Sequence, residues 1–296
     1  MRSVILISLI SLTYLSGSAQ GETAFYNDSV LKIHETELEV LMLAIGSTQG
    51  EGRMALNREF QLKLGQTLKL ENAHSYPFQK LVAISRLSSN DLKIRVFTWE
   101  LDDSEGNIQY FGFVSSHRMN ESPVVFTLND KSASIERSEY TQCTAEKWYG
   151  ALYYELRTVE SKKGAYYVLM GINRRKSLIK ERIVEAIYVD DEVYFGKEVF
   201  NTGNRIYKKR LVFQHSSETD MTLTFEDDET IVVDHLIPSS PAYEGKREYY
   251  VPDLSYDAFR LKKGIWTFSE DFNAKLDKNI KDNFYEMELP DQKKIY

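Results

Sequence analysis

The sequence predicts a mainly β protein, an antiparallel meander of hairpins in propeller-like or sandwich-like form, with a helical segment ahead of it. Three observations carry this. From Leu92 to Phe268 the apolar residues tend to alternate, in runs rich in Tyr, Phe, Val and Ile. Polar turn clusters pair those runs off. No periodic segment of helix length separates them, which disfavours a parallel βαβ arrangement.

The elements follow in order. Met1-Arg2, the apolar run Val4 to Leu15 and the small-residue exit Ser16-Gly17-Ser18-Ala19 have the zones of a secretory signal peptide, assigned to 1–19 with cleavage after Ala19. The run is about twelve residues, short of the roughly 20 that cross a bilayer, and no later stretch supplies a transmembrane segment in the mature chain. Residues 20–75 form the helical segment. Val30, Ile33, Leu38, Leu41, Met42 and Ile45 recur near helical spacing and Gly46 ends the pattern. A second helix is expected from Asn57 to Leu70, with Phe60, Leu64, Thr67 and Leu68 on one face; Leu62 gives a competing alternation and Gly65 weakens the pattern.

The antiparallel β domain is assigned to 76–272. Leu92–Glu100 and Gln109–Val114 flank a polar loop at 102–107, and Tyr149–Val159 and Ala165–Leu169 flank another at 160–164. Ile183–Val189 meets Val193–Phe195, Met221–Phe225 meets Thr230–Asp234, and Ala258–Leu261 meets Ile265–Phe268, giving five hairpins. Their irregular spacing is compatible with a propeller, a barrel or a sandwich. Residues 273–296 form a charged C-terminal tail in which Leu276, Ile280 and Phe284 read as a short surface helix.

Composition restricts function. The chain of 296 residues carries 37 Lys plus Arg against 44 Asp plus Glu, a net charge of -7 that is opposite in sign to a nucleic-acid binder's, so no nucleic acid is expected as a partner. Residues 1–19 hold one Arg and no acid, so their removal takes the charge to -8. The clusters Arg174-Arg175-Lys176 and Lys208-Lys209-Arg210 read as solvated strand ends or turns. The single Cys143 excludes an intramolecular disulfide and reads as a half-buried core residue.

The order of several short motifs resembles a family of uncharacterised exported proteins of bacteroidete-type bacteria. The matching pieces are Tyr76-Pro77-Phe78, Lys93 to Trp99, Tyr110-Phe111-Gly112-Phe113, Trp148 to Tyr154, Tyr166 to Gly171, Phe195-Gly196, Val233 to Pro238 and Pro252 to Phe259, together covering roughly 76–268. Where the family tends to carry a Trp-Asp-Gly turn after the strand ending at Gly171, this chain has Ile172-Asn173. The resemblance implies export and brings no established activity.

Candidate site residues are few. Asp234-His235 is the most enzyme-like pair, but neighbours on a strand point to opposite faces, and no Gly-x-Ser-x-Gly elbow supplies a nucleophile. Asp253-x-Ser255-x-Asp257 has the oxygen spacing that opens a calcium loop, yet Ala258 and Gly264 stand where that loop needs Gly and Glu; a turn with Asx-type bonds is favoured. Asp234, His235, Asp253, Tyr256 and Asp257 are the binding candidates. The five His show no zinc spacing and no phosphate loop occurs, so neither metal nor cofactor is expected. Trp99, Trp148 and Trp266 read as sheet core rather than a stacking platform. The reading favoured is an exported cell-envelope protein, a non-enzymatic binding or structural module. It would be periplasmic or extracellular, with peripheral attachment to the outer membrane among its placements and an envelope protein or extracellular ligand as partner. The alternative is an envelope hydrolase using Asp234, Asp253 and Asp257 with His235.

Overall fold

Alternating apolar positions produce strands from Ser85 to Ser269 in the computed structural model, which describes residues 18–103, 105–117, 122–162, 164–176, 178–203, 205–270 and 272. In chain order these are α1 (Ser18–Ser47), α2 (Gly50–Thr67), β1 (Ser85–Ser88), β2 (Ile94–Asp102), β3 (Ile108–Ser116), β4 (Val124–Asn129), β5 (Cys143–Thr144), β6 (Leu152–Val159), β7 (Tyr166–Lys176) and β8 (Ile179–Val189). There follow β9 (Val193–Phe195), β10 (Phe200–Asn201), β11 (Tyr207–Lys208), β12 (Arg210–Ser216), β13 (Leu223–Asp227), β14 (Thr230–Pro238), β15 (Tyr250–Lys262) and β16 (Ile265–Ser269). The described residues are mainly strand, with two helices at the N-terminal side. The signal-peptide assignment falls outside the described residues up to position 17, and Ser18 and Ala19 begin α1. The tail and its expected helix at 273–296 also lie outside them.

The strands form three sheets that curl as a half-barrel. The first runs β1-β2-β3-β4; the middle one runs β5-β9-β8-β7-β6, with β12 also paired to β8; the third runs β11-β10-β16-β15-β14-β13. Among the described strands only β10 and β16 pair in parallel. All five expected hairpins are present. The sequence reading missed the long hairpin β7–β8 and the strands β1, β4, β5, β10, β11 and β12; β1, β5, β10 and β11 have four residues or fewer, and β12 begins at Arg210 in a basic cluster.

Period-two alternation builds the layers. On β2, Ile94 and Val96 face the middle sheet, whereas Phe97 and Trp99 face the helices. On β7, Tyr167 and Leu169 meet the first sheet while Tyr166, Val168 and Met170 meet the third. The middle sheet is thus covered on both faces, so β7 reads as an unbroken apolar run from Tyr166 to Ile172 before its polar end. The helices share a core with the first sheet: Phe60, Leu64, Thr67 and Leu68 are buried on one face of α2, and Leu62 is 68% exposed, so the helical period prevails over the alternation. Gly65 permits this approach, since a Cβ there would lie 3.2 Å from the Phe113 ring. Trp99, Trp148 and Trp266 are fully buried core residues.

Candidate functional site

The middle sheet carries two polar rows across its face toward the first sheet. Asn173 of β7, Glu181 of β8 and Gln214 of β12 are register partners, as are Leu169, Glu185 and Arg210. Residues i and i+4 of a strand share a face, so Glu181 and Glu185 stand in line with core residues Ile183 and Ile187.

The second row is sealed. Arg210 and Glu185 are both wholly buried; the guanidinium donates to Glu185 Oε1 through Nε at 2.5 Å and through Nη2, to the Ser138 carbonyl through Nη1, and lies 4.9 Å over the Tyr149 ring. Trp148 Nε1 donates to the Tyr153 hydroxyl at 3.0 Å, which donates to Glu185 Oε2 at 2.5 Å. Burial and then the Glu185 charge raise the Tyr153 phenol far above its ordinary range. Burial alone would lower the Arg210 pKa, but Glu185 outweighs it and the guanidinium stays charged. The Lys208-Lys209-Arg210 cluster therefore differs from its expected solvated role: Arg210 is a core residue, because its strand pairs with β8 opposite Glu185. Cys143 lies 3.7 Å from Arg210 Nη2 at 2% exposure, and burial raises its thiol pKa, which keeps it protonated.

The first row opens to solvent as the floor of a cleft of about 550 Å³. Tyr149 Oη donates to Glu181 Oε2 at 2.7 Å and Gln214 Nε2 donates to Oε1 at 2.7 Å. Burial and the Glu181 charge push the Tyr149 phenol up, so it remains a donor. Asn173 Nδ2 donates to the Gly150 carbonyl at 2.7 Å and its Oδ1 accepts from Arg175 N at 3.0 Å. The strand therefore continues through Ile172-Asn173.

One wall is the segment 131–141, which is tied at both ends. Asp130 accepts from Ser132 N at 3.0 Å and Ser132 Oγ at 2.6 Å, and pairs with Arg175 Nη2 at 2.5 Å. A Cβ on Gly150 would sit 2.6 Å from the Asp130 carboxyl carbon, so any larger residue there has to push that carboxylate aside. At the other end the Glu139 carbonyl accepts from Lys209 N at 2.8 Å, and its carboxylate pairs with Lys208 Nζ at 2.7 Å. Arg137 lies 5.2 Å over the ring of Tyr140, which is 40% exposed at the cleft.

The five residues flagged by sequence lie in the third sheet, across the middle sheet from the cleft, and none lines it. His235 Nδ1 bonds Asp257 Oδ2 at 2.8 Å, whereas Asp234 Oδ2 accepts from Thr222 N at 2.7 Å. The β14–β15 register slips between Asp234 and Leu236, and opposite it Leu254 takes a left-handed φ of 74°. Asp253 accepts from Ser255 N at 3.0 Å and Oγ at 2.6 Å, an Asx-type pattern, but inside β15 at the register slip rather than in the expected turn between strands; the Ser255 hydroxyl holds its pKa down. Tyr256 is the register partner of Asp234, and its carbonyl accepts from Phe272 N at 2.7 Å. The structure thus joins His235 to Asp257 and directs Asp234 to β13's approach.

Sequence reasoning missed Tyr149, Asn173, Glu181 and Gln214. A signal existed: acids at 181 and 185 occupy core-facing positions once the alternation of Ile183 and Ile187 is extended backwards. Glu181 and Glu185 are four strand residues apart, roughly 13 Å at 3.3 Å per residue. That exceeds the roughly 5–9.5 Å of a glycosidase carboxylate pair, and Glu185 is committed to Arg210. Among the described residues no three His, Cys, Asp or Glu side chains converge to hold a metal ion, and no helix is long and apolar enough to cross a membrane. Comparison with family models, with curated proteins and with solved structures gave no match.

Proposed function

We propose that this chain is an exported, non-enzymatic binding module of the cell envelope and that its ligand seats in the cleft between segment 131–141 and the middle sheet. The cleft carries the binding half of the reading: it is a concave site whose buried acceptors and donors are positioned by their own hydrogen bonds before any ligand arrives. The zones of residues 1–19 and the resemblance to exported proteins support export. Fractionation with mass spectrometry of the mature N-terminus tests that half: a chain beginning at Gln20 in the envelope or medium is expected, and a cytoplasmic chain beginning at Met1 contradicts it.

One observation favours the second reading, an envelope hydrolase: the 2.8 Å bond between His235 and Asp257 has the geometry by which a carboxylate orients the imidazole of a nucleophilic triad. Asp234 is directed elsewhere and Asp253 is engaged by Ser255. A panel of chromogenic esters, amides and glycosides distinguishes the two. The binding reading expects no turnover; turnover that Asp257→Asn abolishes would establish the hydrolase.

A further inference from the structure

We infer that the cleft takes a neutral, hydroxyl-rich ligand, a short oligosaccharide segment, an inference that rests on the cleft being the binding site. Charge is the first argument. The ionic side chains lining the cleft are two of each sign: Arg137 and Arg175 against Glu139 and Glu181. Arg175 is already matched by Asp130 and Glu139 by Lys208, and the remaining Arg137 and Glu181 are of opposite sign, so the lining offers no net charge to select an anionic or a cationic ligand. A neutral ligand needs none.

Shape and hydrogen-bond chemistry are the second. A pyranose offers hydroxyls that both donate and accept around its edge and C–H groups on its faces. Planar amide and guanidinium groups answer the edge with paired donors and acceptors, and the cleft supplies both kinds in Gln214 and Arg175. The exposed ring of Tyr140, backed by the Arg137 guanidinium, gives a flat surface for the C–H face. The apolar aliphatic lining is confined to Ala133 and Ile135, too little to seat the side chains that give a peptide its affinity. The third argument is preorganisation. Tyr149 and Gln214 are held on Glu181 at 2.7 Å each, so little side-chain freedom is lost on binding.

The full chain is screened on an array of neutral oligosaccharides, acidic oligosaccharides and short peptides, and the tightest neutral binder is then titrated calorimetrically. Binding of a neutral oligosaccharide is expected, weakened at least tenfold by Tyr140→Ala and by Gln214→Ala and unchanged by Leu62→Ala on the exposed side of α2. Circular dichroism of both cleft variants confirms that they fold. The inference is overturned if no neutral oligosaccharide binds, or if neither cleft variant weakens the binding. Binding of acidic glycans or peptides alone removes the ligand class and leaves the binding-module reading standing. Cleavage of the bound oligosaccharide does the reverse.

Discussion

Replacing Arg210 by Met tests whether the sealed row holds the middle sheet together. The substitution keeps the apolar stem of the side chain and removes four interactions, those to Glu185, to the Ser138 carbonyl, to Cys143 Sγ and to the Tyr149 face. Glu185 then keeps its carboxylate at 0% exposure with the Tyr153 hydroxyl as its remaining named donor. Leaving one partner of a buried pair uncompensated costs about 3–5 kcal/mol, a large fraction of the roughly 5–15 kcal/mol that keeps a domain folded. Pairing Arg210→Met with Glu185→Leu removes both charges and should recover all but about 1–2 kcal/mol. Urea unfolding followed by tryptophan fluorescence reads these values, because Trp148 sits at the end of the Glu185–Tyr153 chain. A single variant that loses under about 1 kcal/mol, or a double variant no more stable than the single, refutes the argument.

Other expectations follow from single contacts. His215 is wholly buried and its pKa is lowered to about 4, by burial first and then by Arg182 and Lys180. Between about 4 and the unfolded value near 6.5 the unfolded chain binds the extra proton, so stability rises with pH across that window and is lost as pH falls, by up to about 3 kcal/mol; urea midpoints from pH 4 to 7 should be flatter in His215→Phe. Gly150→Ala should destabilise by about 1–3 kcal/mol in thermal melts and weaken ligand binding, since the new methyl displaces the Asp130 carboxylate that anchors the cleft wall. Asn57→Ala strips the partner from the Trp99 indole N–H, bonded at 2.9 Å in a buried site, and should cost about 1–3 kcal/mol with a shift in tryptophan emission.

The β architecture was legible because alternation is local: each of the five hairpins joins two apolar runs across a polar turn, and the pairing needed no distant information. The Phe60–Leu64–Thr67–Leu68 face of α2 was legible for the same reason. What escaped was set by contacts far apart in sequence. β12 begins in a basic cluster that reads as solvated, and only its pairing with β8, placing Arg210 opposite Glu185, makes its first residue a core residue. The cleft escaped because its floor draws one residue from each of three strands and a tyrosine from a loop, none of them within a recognisable motif. Adjacent acids and imidazoles drew attention instead. Of the residues so flagged, His235 and Asp257 did find one another, through a register slip between β14 and β15 that alternation does not encode.

Hydrogen–deuterium exchange of the full chain with and without a neutral oligosaccharide taken from the array addresses the central claim most directly, because it locates the ligand without assuming a site. Protection is predicted in segment 131–141 and in β12, the wall and floor edge of the cleft. Protection confined to the β14–β15 slip around His235 and Asp257 would contradict the account.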